Sequence, residues 1–414
     1  MASSIAIVGG GVIGLSTAFW LKKQGLDVTV VHADAFDDTT AGGSAGALAV
    51  ADILPITGPG VWAKVPGWLL DPTGPLYIRW GYLPRLLPWL FRFLASGTPG
   101  GIRATAEGMA ALLRTAEADY DTMLADAGLS QLLVNRGSLW IYRSDESRDA
   151  SAASWELRRG LGIEFEPVDR AGIEKIEPAL GPAAHCAYHL PGWRHFLDPR
   201  EMLSGLADHL RVRGVRFVRG RVAGTEAEGG RVVAIRTDIG GRIECEAAVV
   251  AAGAWSARLT KGLGDRVPLE SERGYNTTLP ATGLKIRTFL DFVDDNFVIT
   301  PMSMGLRVGG AVEFAGLEAE PNYARCEALV KLARRYLPDL DVSGGTRWMG
   351  NRPSTPDSLP VIGRASRLDN VYYAFGHGHL GLTGGAATGR IVAAMIADQD
   401  PGLDMTPYRV ERFA

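Results

Sequence analysis

The stretch Ser4-Ile5-Ala6-Ile7-Val8-Gly9-Gly10-Gly11-Val12-Ile13-Gly14 decides the reading of this chain. Its first five residues make a short, β-branched apolar run of the kind a buried parallel strand requires. Three glycines follow, and from Val12 to about Lys23 the pattern is helical until Gly25 stops it. Residues 27–32 resume a valine-rich strand, so one strand–turn–helix–strand unit of about 30 residues stands at the start of the chain. Gly9, Gly11 and Gly14 satisfy GxGxxG around Val12 and Ile13. The first glycine permits the tight turn and the second lets backbone approach a pyrophosphate. The third lets helix and strand pack closely, with phosphates at the helix N-terminus. In this context the motif reads as a dinucleotide site.

An acidic residue is expected about 20 positions on, to hold the ribose hydroxyls. Here His32 ends the second strand, followed by Ala33 and Asp34. An imidazole accepts one hydrogen bond where a carboxylate accepts several. Either Asp34 reaches back or His32 takes the ribose itself. No Lys or Arg lies between Lys23 and Lys64 to neutralise a 2′-phosphate, which disfavours NADP.

The 414 residues are 46% hydrophobic and 21% charged, which excludes disorder and fibrous repeats and leaves room for two or three domains. A net charge of −3 and a pI near 6.2 give no case for nucleic acid. Three cysteines (Cys186, Cys245, Cys326) without CxxC spacing argue against a disulfide framework or zinc ribbon, and fit a reducing cytoplasm. The first 21 residues lack a basic n-region and carry the glycine cluster, so they read as mature protein. No uncharged apolar run is long enough for a spanning helix.

Residues 53–101 hold eight of the 23 prolines and Trp62, Trp68, Trp80 and Trp89, so long regular elements are not expected there. A single helix is expected over residues 105–127, and another from Pro199, capped by Asp198. Residues 215–222 read as a strand, and residues 231–237 and 242–246 as a hairpin across Gly240-Gly241. A small strand at 248–252, strands near 297–300 and 305–310 and a helix near 323–336 follow. The tail reads as a turn-rich stretch over 350–363, a strand at 371–375, a Gly/His loop and a helix over 383–397.

Further motifs are spread along the chain: Gly42-Gly43-Ser44-Ala45-Gly46, Ala251-Ala252-Gly253-Ala254-Trp255-Ser256, Arg273-Gly274-Tyr275 and Trp348-Met349-Gly350-Asn351-Arg352-Pro353. Thr355-Pro356-Asp357, Leu359-Pro360-Val361-Ile362-Gly363 and Gly376-His377-Gly378-His379-Leu380-Gly381-Leu382-Thr383 complete the set. In order and spacing the chain resembles the D-amino-acid oxidase superfamily of FAD enzymes, most of all its bacterial D-amino-acid dehydrogenase (small subunit) branch. It departs from the pattern at His32, where an acid is usual, and at Leu382, where a Trp is frequent.

The resemblance implies an α/β fold: a Rossmann-like, discontinuous FAD-binding domain (1–55, 195–265 and 345–414) with an α+β substrate domain on an antiparallel or mixed sheet (56–194 and 266–344). It implies extended FAD, with adenosine near Gly9, Gly11, Val12, Ile13, Gly14, His32, Ala33 and Val222 and ribityl near Gly43, Ser44, Ala45 and Gly46. The isoalloxazine would lie near Gly350, Gly378, His379, Leu380, Gly381, Leu382 and Thr383, with Ala252, Gly253 and Trp255 also in contact. The N-terminus of the last helix would face the flavin N1–C2 carbonyl with its partial positive charge. Related sarcosine oxidases hold flavin through a C-terminal-region Cys. None follows Cys326, so non-covalent FAD is expected.

For the substrate carboxylate, Arg352 is the first choice, since a guanidinium fork matches it in bidentate fashion. Tyr275 is a second ligand, with Arg273 and Arg307 as weaker alternatives. His377 and His379 flank Gly378 and could bond the amine or a flavin carbonyl; only His377 sits at a family position. No metal site is expected, because His377–His379 and His185–His189 lack a third ligand at sensible spacing.

The expected reaction is hydride transfer from Cα of a D-amino acid, including proline or hydroxyproline types, to flavin N5. The product is an imino acid that hydrolyses to a 2-oxo acid, or a cyclic imine. Two alternatives stay open: a glycine/sarcosine-type oxidase using oxygen, and a flavin-binding subunit of a hetero-complex. The expected electron acceptor is quinone or an electron-transfer partner. Residues 76–95 mix aromatics with Arg79, Arg85 and Arg92, suiting either peripheral contact with the inner membrane or the outer wall of the substrate cavity. The arginines are not expected to share one helical face. Side-chain preference, enantiomer and oligomeric state are not legible.

Overall fold

A six-stranded sheet carries the N-terminal unit in the computed structural model, which describes residues 4–57, 67, 74 and 76–414. Across the sheet run Arg216–Arg219, Asp27–His32, Ser4–Val8, Ala247–Val250, Val371–Phe375 and Val361–Arg364; only the last is antiparallel. The central strands are buried on both faces, as their unbroken apolar runs require. On one face lies the helix Val12–Lys23 against the C-terminal helix Gly381–Ile396. Their backbones nearly touch: a Cβ on Gly389 would come within 2.5 Å of Ser16. The Trp20 indole donates to the Ala386 carbonyl at 3.1 Å. The helix Pro199–Val212 joins them, with Asp198 accepting from the N–H groups of Arg200 and Glu201. The other face is covered by the small sheet Val222–Glu228, Arg231–Thr237 and Arg242–Glu244, whose Val232, Ile235 and Ile243 bury against Ala6, Val8 and Val31.

The second sheet has nine strands. From one edge it runs Thr346–Ser354, Glu270–Leu279, Gly305–Phe314, Phe297–Met302, Phe289–Phe292, Ser138–Tyr142, Cys186–Leu190 and Glu166–Val168, with Leu76–Ile78 also on Gly305–Phe314. It is mixed, since Phe289–Phe292 runs parallel to Ser138–Tyr142. The helix Ala324–Tyr336 closes one face with Cys326, Leu329, Ala333 and Tyr336. The other face looks toward the six-stranded sheet.

Four expectations are corrected. Residues 53–101 do contain a long helix, Leu83–Ser96. Pro84 sits in its first turn, where no N–H is needed, and Pro88 removes only one further bond. Burial of Leu86, Trp89, Leu90, Phe93 and Leu94 at helical spacing holds it together. Trp62 and Trp68 lie outside the described residues. Arg85 and Arg92, seven apart on that helix, share its exposed face, while Arg79 lies before it, so the three do not fall on one helical face. The expected helix over 105–127 is two, Pro99–Leu113 and Ala116–Ala127. At the break Thr115 bonds Asp119 and receives Arg390 from the last helix, a tertiary tie no local pattern shows. The strand over 215–222 ends at Arg219: Gly220, with φ +158°, turns the chain into the small sheet. Finally, the first part of the turn-rich 350–363 belongs to the strand Thr346–Ser354. As an edge strand it tolerates Pro353.

Candidate active site

Four carboxyl ends of the six-stranded sheet open into one cavity of about 1100 Å³, lined by Val8 and Gly9, Val31 and His32, Ala251 and Ala252, and Ala374 and Phe375. Ligands of open parallel sheets lie at this end. Single drug-sized ligands occupy roughly 300–1,000 Å³, so a dinucleotide and a small second molecule both have room.

The glycine loop fits a pyrophosphate. Gly9 has φ +119°, and a Cβ there would meet the Ala251 carbonyl at 2.2 Å. Gly11 caps the helix Val12–Lys23 with no side-chain partner and no acid in the first turn, and a Cβ on it would meet nothing within 4 Å. Its free N–H groups therefore face open cavity. Gly14 does not line the cavity: a Cβ would strike the Gly9 carbonyl at 1.9 Å, so its role is close packing. The C-terminal helix likewise begins at Gly381 without a side-chain cap or early acid. Thr383 accepts from the Ala49 N–H at 3.1 Å and so ties that end to the N-terminal loop.

His32 and Asp34 both line the cavity, and His32 Nδ1 lies 3.0 Å from the Asp34 carbonyl oxygen. The bond requires Nδ1–H to donate, which leaves Nε2 as an acceptor for a hydroxyl. Ala33, Gly43, Ser44, Ala45, Gly46, Val222, Gly253, Trp255, Gly350, Gly378, Leu382 and Thr383 line the same space. Leu380 does not; it faces a small apolar pocket behind the loop.

The loop at 42–46 is braced from the second sheet by residues not assigned that role from sequence. Arg307 donates to the Ser44 carbonyl at 2.6 Å, and Asn276 to the Gly43 carbonyl at 2.6 Å. Burial holds the Arg307 guanidinium down to about 10. Arg307 is therefore a scaffold for the loop rather than a substrate clamp.

At the far end, Arg352 lies in the cavity wall. Its Nη1 donates to Glu272 at 2.8 Å, and its guanidinium crosses Gly274, where a Cβ would come within 2.4 Å. Tyr275 also lines the cavity, and its hydroxyl donates to Glu313 and accepts from the Asn322 N–H at 3.1 Å. Burial and Glu313 push that hydroxyl up to about 12. Arg273, fully buried, is spent on Glu313 and on carbonyls of residues 316–320.

Both histidines line the cavity, in different states. His377 is buried with Nε2 on Thr388 at 2.9 Å, and burial pushes it down to about 3, so it stays neutral. His379 lines the cavity with Nε2 on Asp52 at 2.9 Å. Burial opposes its charging, but Asp52 outweighs burial and raises its pKa; burial likewise opposes ionisation of Asp52, yet His379 and Arg158 hold that carboxyl below its usual range. Asp291 completes the group: burial, then Asp52, push its carboxyl up to about 7. Sequence reading missed Asp52, Glu272 and Asp291, which carry no motif. Elsewhere His185 and His189 pair with Asp145 and Glu166.

A void with a phosphate cradle at one end and a guanidinium at the other defines a dinucleotide-dependent oxidoreductase of the flavin type. The chain belongs to the family of FAD dependent oxidoreductases, which matches residues 4–395. It is 37% identical to a "D-amino-acid oxidase" of Bradyrhizobium diazoefficiens, over 99% of this chain and 98% of the relative. To a "D-amino acid dehydrogenase" of Rhizorhabdus wittichii it is 30% identical over 99% and 100%. Among solved structures, glycine oxidase from Geobacillus kaustophilus superposes with TM-score 0.76 at 21% identity over 99% of this chain and 98% of that one. L-proline dehydrogenase from P.horikoshii gives 0.73 at 20% over 99% and 97%. These share the fold.

Proposed function

We propose that this enzyme oxidises a D-amino acid at Cα, giving an imino acid that water converts to a 2-oxo acid and ammonia. One observation supports this most: Arg352 is pinned through Nη1 by Glu272, leaving Nε and Nη2 over Gly274 for a carboxylate. When bound, FAD supplies the two-electron acceptor for the Cα–H bond. The residues named above would hold it: the glycine loop and its helix the pyrophosphate, His32 Nε2 the ribose, and the 43–46 loop the ribityl chain. The uncapped helix at Gly381 serves the ring. Arg352 fixes the carboxylate and with it the direction of Cα–H. The amine must lose a proton first, and His379 Nδ1, the nitrogen not bonded to Asp52, receives it.

FAD is held non-covalently in this reading, since none of the three cysteines lines the cavity. The division into 1–55, 195–265 and 345–414 against 56–194 and 266–344 follows the two sheets, except that Thr346–Ser354 is hydrogen-bonded into the second. Quinone is the proposed electron acceptor. No helix among the described residues is long and apolar enough to cross a membrane. Peripheral contact is proposed through Trp80, Leu87 and Phe91, which stand exposed beside Arg85 and Arg92. Anaerobic titration of the flavin-loaded protein tests the activity. D-amino acids should bleach the flavin band; a flavin that stays oxidised with every D- and L-amino acid overturns the reading.

A further inference from the structure

One register row crosses the nine-stranded sheet on the cavity side: Trp348, Asn276, Gly309, Val298, Asp291 and Trp140, each paired with the next. All six line the cavity. Asp291 is the only charged member of the row. Its partly exposed surface belongs to the cavity, and its carboxylate has no hydrogen-bond partner among the described residues. A carboxylate without a partner between Trp140 and Val298 is costly unless it takes a proton or a ligand completes it. Arg158, whose charge acts on Asp291, makes no ion pair with it: it is stacked on Trp140 and Trp155 and donates to the Ala51 carbonyl at 3.0 Å.

We propose that Asp291 reads the substrate side chain, and that the enzyme prefers amino acids ending in a cation, an ammonium or a guanidinium. The proposal rests on the amino-acid reading above. Three strand spacings and two residues along the strand separate Gly274, under the Arg352 guanidinium, from Asp291, so their backbones are at most roughly 16 Å apart. A carboxylate on Arg352 and a cation on Asp291 span that gap through a four- or five-atom side chain, and a one-carbon side chain does not. Glu272 is paired with Arg352 and Asp52 with His379, which leaves Asp291 as the acid of this end without an ion-pair partner among the described residues.

The groups facing Asp291 are Asp52, His379, Arg158 and Tyr142, and the first makes its ionisation harder. Selection should therefore sharpen from pH 6 to 8.

The test compares D-lysine with D-norleucine, a neutral side chain with the same four carbons and no terminal ammonium, in the holoenzyme and in Asp291→Asn. The kcat/KM ratio should be about 30 in the wild type, the worth of one hydrogen bond to a charged group, and fall toward one in the variant. D-lysine, but not D-norleucine, should raise Tm in the absence of an electron acceptor. Should Asp291→Asn not fold, Asp291→Ser and the wild-type ratio carry the test. Equal use of both substrates, or a ratio that survives substitution, overturns the proposal alone. Failure of every amino acid to reduce the flavin removes the amino-acid reading and the proposal with it.

Discussion

Arg352 and Glu272 stand opposite each other in the register of two neighbouring strands, and the arginine Nη1 meets the glutamate Oε1 at 2.8 Å. Ser354, two residues further along, donates to the other carboxylate oxygen at 2.8 Å. Glu272 is thus fully spoken for and fixes the guanidinium plane, at the cost of offsetting part of the charge a substrate would feel. Truncating one partner of a desolvated charge pair costs about 2–5 kcal/mol. Arg352→Ala should accordingly raise KM for the amino acid by roughly 30-fold or more with flavin content intact. Steady-state kinetics on the flavin-loaded variant decides; an unchanged KM removes Arg352 from the site.

Gly274 tests the same arrangement from below. Its backbone lies outside the left-handed region, so alanine is sterically allowed by the chain itself, yet the new Cβ would sit 2.4 Å from Arg352 Nη2. The guanidinium must swing away. Gly274→Ala should fold, bind FAD and show a KM at least about tenfold higher, one pairing's worth of binding. A crystal structure or a KM equal to wild type would show that the arginine has room to spare.

The N-terminal loop was legible because its constraints are local: turn, backbone approach and helix packing all fall within six residues. The same holds for the C-terminal helix, whose glycines announce an uncapped start. The substrate end was not legible. Glu272, Asp291 and Asp52 are isolated carboxylates from distant parts of the chain, joined only by strand register and by a loop folding onto His379. Tyr275 lies in a recognisable motif, but the partner of its hydroxyl, Glu313, comes from a neighbouring strand and carries no local signal.

Gly9 and Gly11 should fail differently. At Gly9 a Cβ meets backbone and φ is +119°, so Gly9→Ala should lower the yield of folded protein. At Gly11 φ is −76° and the space is empty, so Gly11→Ala should fold normally and lose FAD affinity by tenfold or more, about 1.4 kcal/mol. Flavin content after dialysis, read beside far-UV circular dichroism, separates the two. Full flavin retention in Gly11→Ala would contradict the pyrophosphate assignment.

The exposed face of the helix Leu83–Ser96 predicts membrane contact. Phe91 is 64% exposed and Trp80 56%, and no Asp or Glu occurs between residues 72 and 106. Vesicles rich in anionic lipid should pull down the protein, and salt should weaken that binding within the range set by Debye screening. Phe91→Ser should reduce it severalfold without touching kcat/KM measured with a soluble dye. Equal sedimentation with neutral and anionic vesicles, or none with either, refutes the contact.

His379 and Asp52 give the sharpest pH signature. The folded pKa of His379 lies above its unfolded value of about 6.5, so its pairing stabilises fully below that pH and is lost as pH climbs through the higher folded value. Asp52 is lowered from 3.8, so its share is complete above that pH and is lost as pH falls through the lower folded value. The pair therefore stabilises most between about pH 4 and 6.5. Asp52→Asn removes both shares while keeping the volume. Its Tm deficit against wild type should be largest near pH 5.5, at about 2 °C per kcal/mol lost, and should shrink above pH 8. The same substitution lowers the basicity of His379, so the acid limb of the kcat/KM profile should move to lower pH. A deficit equal at pH 5.5 and 8.5, with an unmoved acid limb, would mean that the two side chains do not share a proton.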